Sequence, residues 1–167
     1  MRLLDIYLDD HWAGAAAGSA LARRLADENA DSPWALDLAW IADQIRNDQQ
    51  TLAEIRRRLH CKGGGLKKAA ALIGERVARL KPNGRLVRYS PLSRVLEVEA
   101  LISGISAKLR LWRALQAFDE SDGLLDDCDL EELVFGAEAQ LDLLSSIHEA
   151  VSKEAFGAIG NGAASGS

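Results

Sequence analysis

The sequence predicts an all-α protein. Two observations carry that prediction. Leu4, Leu8, His11, Ala15, Gly18, Ala22 and Leu25 recur at steps of four and three, and Leu38, Ile41, Ile45, Asp48, Leu52, Ile55 and Leu59 repeat the rhythm after a turn. Each series is one face of an amphipathic helix. Only three prolines occur in 167 residues, and the alternation that marks strands is scarce. Hydrophobic residues make up 48% of the chain, enough for a packed core.

The first helix is expected over 2–28. Its middle, 13–18, is built of alanine and glycine. Glycine weakens a helix by about 1 kcal/mol relative to alanine. Two of them point to the close approach of a neighbouring helix, or to room for a ligand beside His11. A polar turn at 27–31 follows. Ser32 and Pro33 supply a cap and a first-turn proline for a second helix reaching about residue 60. Its last turn carries Arg56, Arg57 and Arg58, where cations suit the helix dipole. Gly63, Gly64 and Gly65 break it. They follow Lys62 instead of preceding it, and no strand leads in, so a phosphate-binding loop is not expected.

A short helix is expected over 66–80, with Leu66, Ala70, Ile73, Val77 and Leu80 on one side. Ser90 and Pro91 repeat the earlier start signal for a long helix to about residue 118. Its main stripe is Val95, Val98, Ile102, Ile105, Leu109 and Trp112, flanked by Glu97, Glu99 and Lys108. Further leucines broaden it almost all round, so it should be the most enclosed helix. An acidic loop spans 119–128. Asp129 and Glu132 make a capping box for a last helix to about residue 156, with Leu130, Ala137, Leu141, Leu144, His148, Val151 and Ala155 inward. Residues 1–156 read as one domain, and the Gly/Ala/Ser-rich 157–167 as a flexible tail.

Four long helices in two hairpins, joined by some 30 residues holding a short helix, resemble the ferritin-like superfamily of four-helix bundles. The long crossover of that superfamily lies between helices two and three. The resemblance implies a bundle with carboxylate and histidine ligands aimed inward. Its di-iron motif, Glu-x-x-His on two of the helices, is absent here. Arg57 stands three before His60, Ser145 three before His148, and Leu8 three before His11.

Helical rise places the interior polar groups by level. The first hairpin turns near 30–31, which brings His11 within about 3 Å of the level of Asp48. The second turns near 123–124, which sets Glu99 opposite His148 and Lys108 opposite Gln140. A crossover that traverses the bundle makes helices two and three parallel and joins His11, Asp48, Lys108 and Gln140 in a hydrogen-bonded layer. A crossover that returns to the same end brings His11, Asp48, Glu99 and His148 together, a credible iron, manganese or zinc site. Glu97 and Glu99, two apart on a helix, cannot both face one centre.

The net charge of −5 gives no global reason for nucleic-acid or membrane binding. Eleven lysines and arginines with one acid crowd residues 56–88, and eight acids with no base crowd 119–132. The basic stretch, including Arg56, Arg57, Lys67 and Lys68, is the place for an anion or nucleic acid, although interleaved aromatics are missing. Basic and acidic segments could also join copies of the chain, so a homo-oligomer is expected. Two cysteines make no disulfide framework, no export signal opens the chain, and no apolar run reaches membrane length. The chain therefore reads as cytoplasmic.

The functional expectation is a structural or binding bundle without catalysis or cofactor. A metal-binding oxidoreductase or storage protein holding iron or manganese on altered ligands is the alternative. An anion or nucleic-acid binder using 56–88 comes after it.

Overall fold

The computed structural model describes residues 3–61 and 89–162. The expected short helix at 66–80 lies outside them. Four helices form: α1 (Leu3–Glu28), α2 (Ala35–Arg58), α3 (Pro91–Asp122) and α4 (Leu130–Gly162). Each α1–α2 and α3–α4 pair is a hairpin. α1 also packs on α3, and α2 touches α4 lightly, so α2 and α3 face each other across the diagonal.

Contacts between the helices set their directions. Arg24 on α1 meets Glu97 near the start of α3 at 2.9 Å, so α3 enters where α1 ends. Arg58, closing α2, lies 3.9 Å from Asp127 in the turn between α3 and α4. α2 and α3 therefore run in the same direction, and Cys61 and Tyr89 stand at opposite ends of the bundle. Of the two arrangements that the sequence left open, this is the traversing one.

The second seam forms as its periodicity predicts. Leu38, Ile41, Ile45, Leu52, Ile55 and Leu59 are all buried, and the Asp48 side chain between them is 12% exposed. The first seam is turned. Asp5 and Asp9 are buried beside Leu8, whereas Leu4 and His11 are only half-buried. Asp9 is tolerated inside because Arg56 pairs with it, and the Arg56 guanidinium sits 5.2 Å from the Trp12 ring centroid. The glycines of α1 are not explained by a neighbour among the described residues. A Cβ at Gly14 or Gly18 would meet nothing within 4 Å.

The helix ends explain the shifted boundaries. α2 starts at Ala35 and not at Pro33, because Ser32 Oγ accepts from Trp34 N at 3.2 Å and the Ser32 carbonyl from Ala35 N at 3.1 Å, closing a turn first. At its other end Cys61 N donates to Arg56 O at 3.0 Å and His60 N to Arg57 O at 3.1 Å. His60, at φ 51°, takes the left-handed position usually given to glycine. α3 begins as expected, with Ser90 Oγ accepting from Ser93 N at 3.1 Å and Pro91 behind the cap. It runs past residue 118 until Gly123, at φ 59°, donates to Asp119 O at 2.8 Å. The Asp119 side chain then receives Leu125 N at 2.7 Å and seats a fully buried Leu125. Asp129 Oδ1 caps α4 by accepting from Glu132 N at 2.8 Å. α4 continues to Gly162, so 157–162, expected as flexible tail, is helical. No helix among the described residues is long and apolar enough to cross a membrane.

α3 is less enclosed than its composition suggests. Val95, Val98, Leu101, Ile105, Leu111, Trp112 and Leu115 are buried, but Leu92 and Leu96 are exposed. On α4, Gln140 and Ile147 face the core, and His148 sits at its edge.

Candidate functional site

The centre of the bundle holds a triangle of polar groups. Lys108 reaches from α3 across the diagonal to Asp48 on α2, donating from Nζ to Oδ2. The same ammonium donates to Gln140 Oε1 on α4 at 2.6 Å. Gln140 Nε2 closes the figure by donating to Asp48 Oδ2 at 3.1 Å. The Asp48 and Lys108 side chains are 12% and 15% exposed, and Gln140 is 1% exposed. The four-carbon stem of lysine suits this span, since α2 and α3 make no close backbone contact among the described residues. Burial holds the Lys108 pKa below the usual lysine value, while the charge and hydrogen bond of Asp48 oppose that shift.

Three of the four residues expected in a polar layer thus meet. His11 does not join them. It packs edge-on against Tyr7, ring centroids 4.6 Å apart, and burial lowers its pKa against the pull of Asp10. The turn of the first seam toward Asp5 and Asp9 carries His11 away from the core centre.

The other grouping, His11, Asp48, Glu99 and His148, does not form. Glu99 and His148 meet at 3.0 Å on the outer seam of α3 and α4, with side chains 51% and 32% exposed. Asp48 is held by Lys108 at the centre, and His11 lies on α1. Parallel α2 and α3 are the reason, because they bring Asp48 level with Lys108 and not with Glu99. Among the described residues, no group of three or more His, Cys, Asp or Glu side chains is placed to hold a metal.

The two described members of the basic set are already engaged. Arg56 is paired with Asp9. Arg57 donates to both carboxylate oxygens of Glu54, at 3.0 and 2.6 Å, and these bonds with those of Arg58 hold the Glu54 pKa down at about 2. Lys67 and Lys68 lie outside the described residues.

A second polar cluster, at the end where α1 turns into α2, was missed in the sequence. Glu97 is 8% exposed and meets Arg24 at 2.9 Å. Tyr89 donates to Glu97 at 3.2 Å and accepts from Asn29 Nδ2 at 2.8 Å. Arg94 donates to Asn29 Oδ1 at 2.5 Å and to Glu154 at 2.9 Å, its guanidinium 5.3 and 5.9 Å from the Trp34 and Tyr89 ring centroids. These bonds tie both hairpins and the entry to α3 at one end. Burial pushes the Tyr89 pKa up to about 12. A signal for Glu97 was present: Glu97, Leu101, Ile105, Lys108, Trp112 and Leu115 follow steps of four and three. That stripe includes Glu97 and Lys108.

Burial also raises the Glu97 pKa, against the charge of Arg24 and the hydrogen bond of Tyr89. A carboxyl whose pKa is higher folded than unfolded stabilises the fold below its unfolded pKa, and that contribution is lost as pH rises through the folded value. Glu97→Gln should therefore gain stability relative to the parent between about pH 4 and pH 7. Urea melts at both pH values measure this, and a difference independent of pH would contradict it.

An open groove of 410 Å³ lies where the end of α2 meets the turn before α4, lined in part by Ile55, Arg58, Asp127, Cys128 and Leu133. It stands roughly two helical turns along α2 from Asp48. Burial raises the Cys128 pKa, which makes the thiolate scarcer and the group a poor nucleophile.

No protein family, no curated protein and no solved structure matches this chain.

Proposed function

We propose that this chain is a ferritin-like bundle serving as a non-catalytic structural or binding unit, with a lysine ammonium standing where metalloproteins of that architecture gather ligands around an ion. One observation carries the reading. Lys108 Nζ lies between Asp48 and Gln140 at the bundle centre and takes up the carboxylate oxygen and the amide oxygen that could otherwise face a cation. A second positive charge there would meet the ammonium at contact distance inside the bundle, where repulsion is far stronger than in bulk water. The direction of α2 and α3 supports the architecture: parallel second and third helices need one long crossover, as in ferritin-like bundles. The remaining imidazoles lie outside the central layer.

Metal loading tests the reading. The purified chain, incubated with iron(II), manganese(II) or zinc(II) and then dialysed, is expected to retain far less than one ion per chain by elemental analysis. Retention of one ion per chain, abolished by Asp48→Ala, would overturn it.

A further inference from the structure

We propose that the outward face of α1 is the contact between two copies of this chain, packed antiparallel about a twofold axis at Ala17. Leu3, Tyr7, Asp10, Gly14, Ala17 and Arg24 lie along one line of α1, spaced by four, three or seven residues. Leu8, Ala22 and Leu25 face the core instead. Leu3 is 85% exposed and Tyr7 36%, and the His11 ring holds Tyr7 in place from the side. Asp10 and Gly14 are exposed, and Ala17 is half-exposed.

Three features fit a second copy. Gly14, on this line, weakens α1, and among the described residues a Cβ there would meet nothing within 4 Å, which leaves room for a second copy to approach closely. Small residues at a helix contact let the axes come near the short end of the usual 8–10 Å range, about 8 Å. The charges select the direction. Asp10 and Arg24 stand seven residues on either side of Ala17, about 10 Å along the axis. Antiparallel copies then place Asp10 against the partner's Arg24 twice, whereas parallel copies would set like charges together. Arg24 remains 53% exposed while it holds Glu97, which leaves further N–H groups for that pairing.

Light scattering on a sizing column and sedimentation over a range of concentrations test the proposal. The native chain is expected to dimerise. Gly14→Leu is expected to lose the dimer while the dilute protein keeps its melting temperature, since a Cβ at this exposed position meets nothing within 4 Å among the described residues. Asp10→Arg should weaken the dimer in the same way. With both native cysteines changed to serine, Ala17→Cys should give a disulfide-linked dimer on oxidation, because the axis sets the two thiols face to face. A native chain that stays monomeric throughout would overturn the proposal. So would a dimer that survives Gly14→Leu, or one that Ala17→Cys leaves uncrosslinked. None of these outcomes depends on metal content, so this proposal and the reading of the bundle centre fail separately.

Discussion

Lys108→Met is expected to lower the unfolding free energy by about 3–5 kcal/mol, the cost of leaving a buried charge without its counter-charge. The change removes the ammonium that binds both Asp48 and Gln140 and leaves Asp48 with the weaker donor, the Gln140 amide. Replacing all three residues should behave differently. Asp48→Leu, Lys108→Met and Gln140→Leu together remove every member of the triangle, so no polar group is stranded. The triple variant is expected to match the parent or exceed it by about 1–4 kcal/mol, because desolvating an ion pair offsets most of its attraction. Guanidinium unfolding at constant slope measures both effects. A loss below about 1 kcal/mol for Lys108→Met would mean a pair solvated like a surface salt bridge. A triple variant as unstable as the single one would mean that the layer contributes net stability.

Trp112→Ala is expected to cost about 3–5 kcal/mol, the range for removing a large aromatic from a core. Trp112 is fully buried, and it is the largest of the fully buried side chains among the described residues. Trp112→Phe should cost much less than the alanine change. The indole Nε1 has no hydrogen-bond partner among the described residues, so phenylalanine removes a buried donor that none of them satisfies. Such a donor carries a penalty of about 1–3 kcal/mol, which its removal sets against the lost ring volume. Denaturant melts of the two variants decide the point. If phenylalanine is as damaging as alanine, the indole N–H has a partner that matters to the fold.

Much of the scaffold was legible because it is local. The second seam reads off the chain since six apolar residues and one carboxylate keep strict helical spacing and all of the apolar ones are buried. Ser90 and Asp129 cap their helices within three residues of themselves, so the signal lies in the sequence. The first seam misled for a different reason. His11 fits an apolar spacing as well as Asp5 and Asp9 fit the adjacent one, and a carboxylate goes inside only if a cation is there to receive it. Arg56, which receives Asp9, lies 47 positions away. The cluster at Glu97 was hidden in the same way, since Tyr89, Asn29 and Arg24 come to it from three segments.

The sequence by itself determined four helices, most of their ends, and Asp48, Lys108 and Gln140 as the polar groups of one inward layer. Each is a matter of spacing along a single rod and of hydrogen bonds within a few residues. It offered two central layers, one of lysine and glutamine and one of glutamate and histidine, without choosing. Only the tertiary structure chose, because the partners of Asp48 depend on whether α2 and α3 run in the same direction. That relation belongs to how the hairpins pack. With the two helices parallel, the carboxylate meets an ammonium at the centre of the bundle, and Glu99 and His148 meet each other on its outer seam.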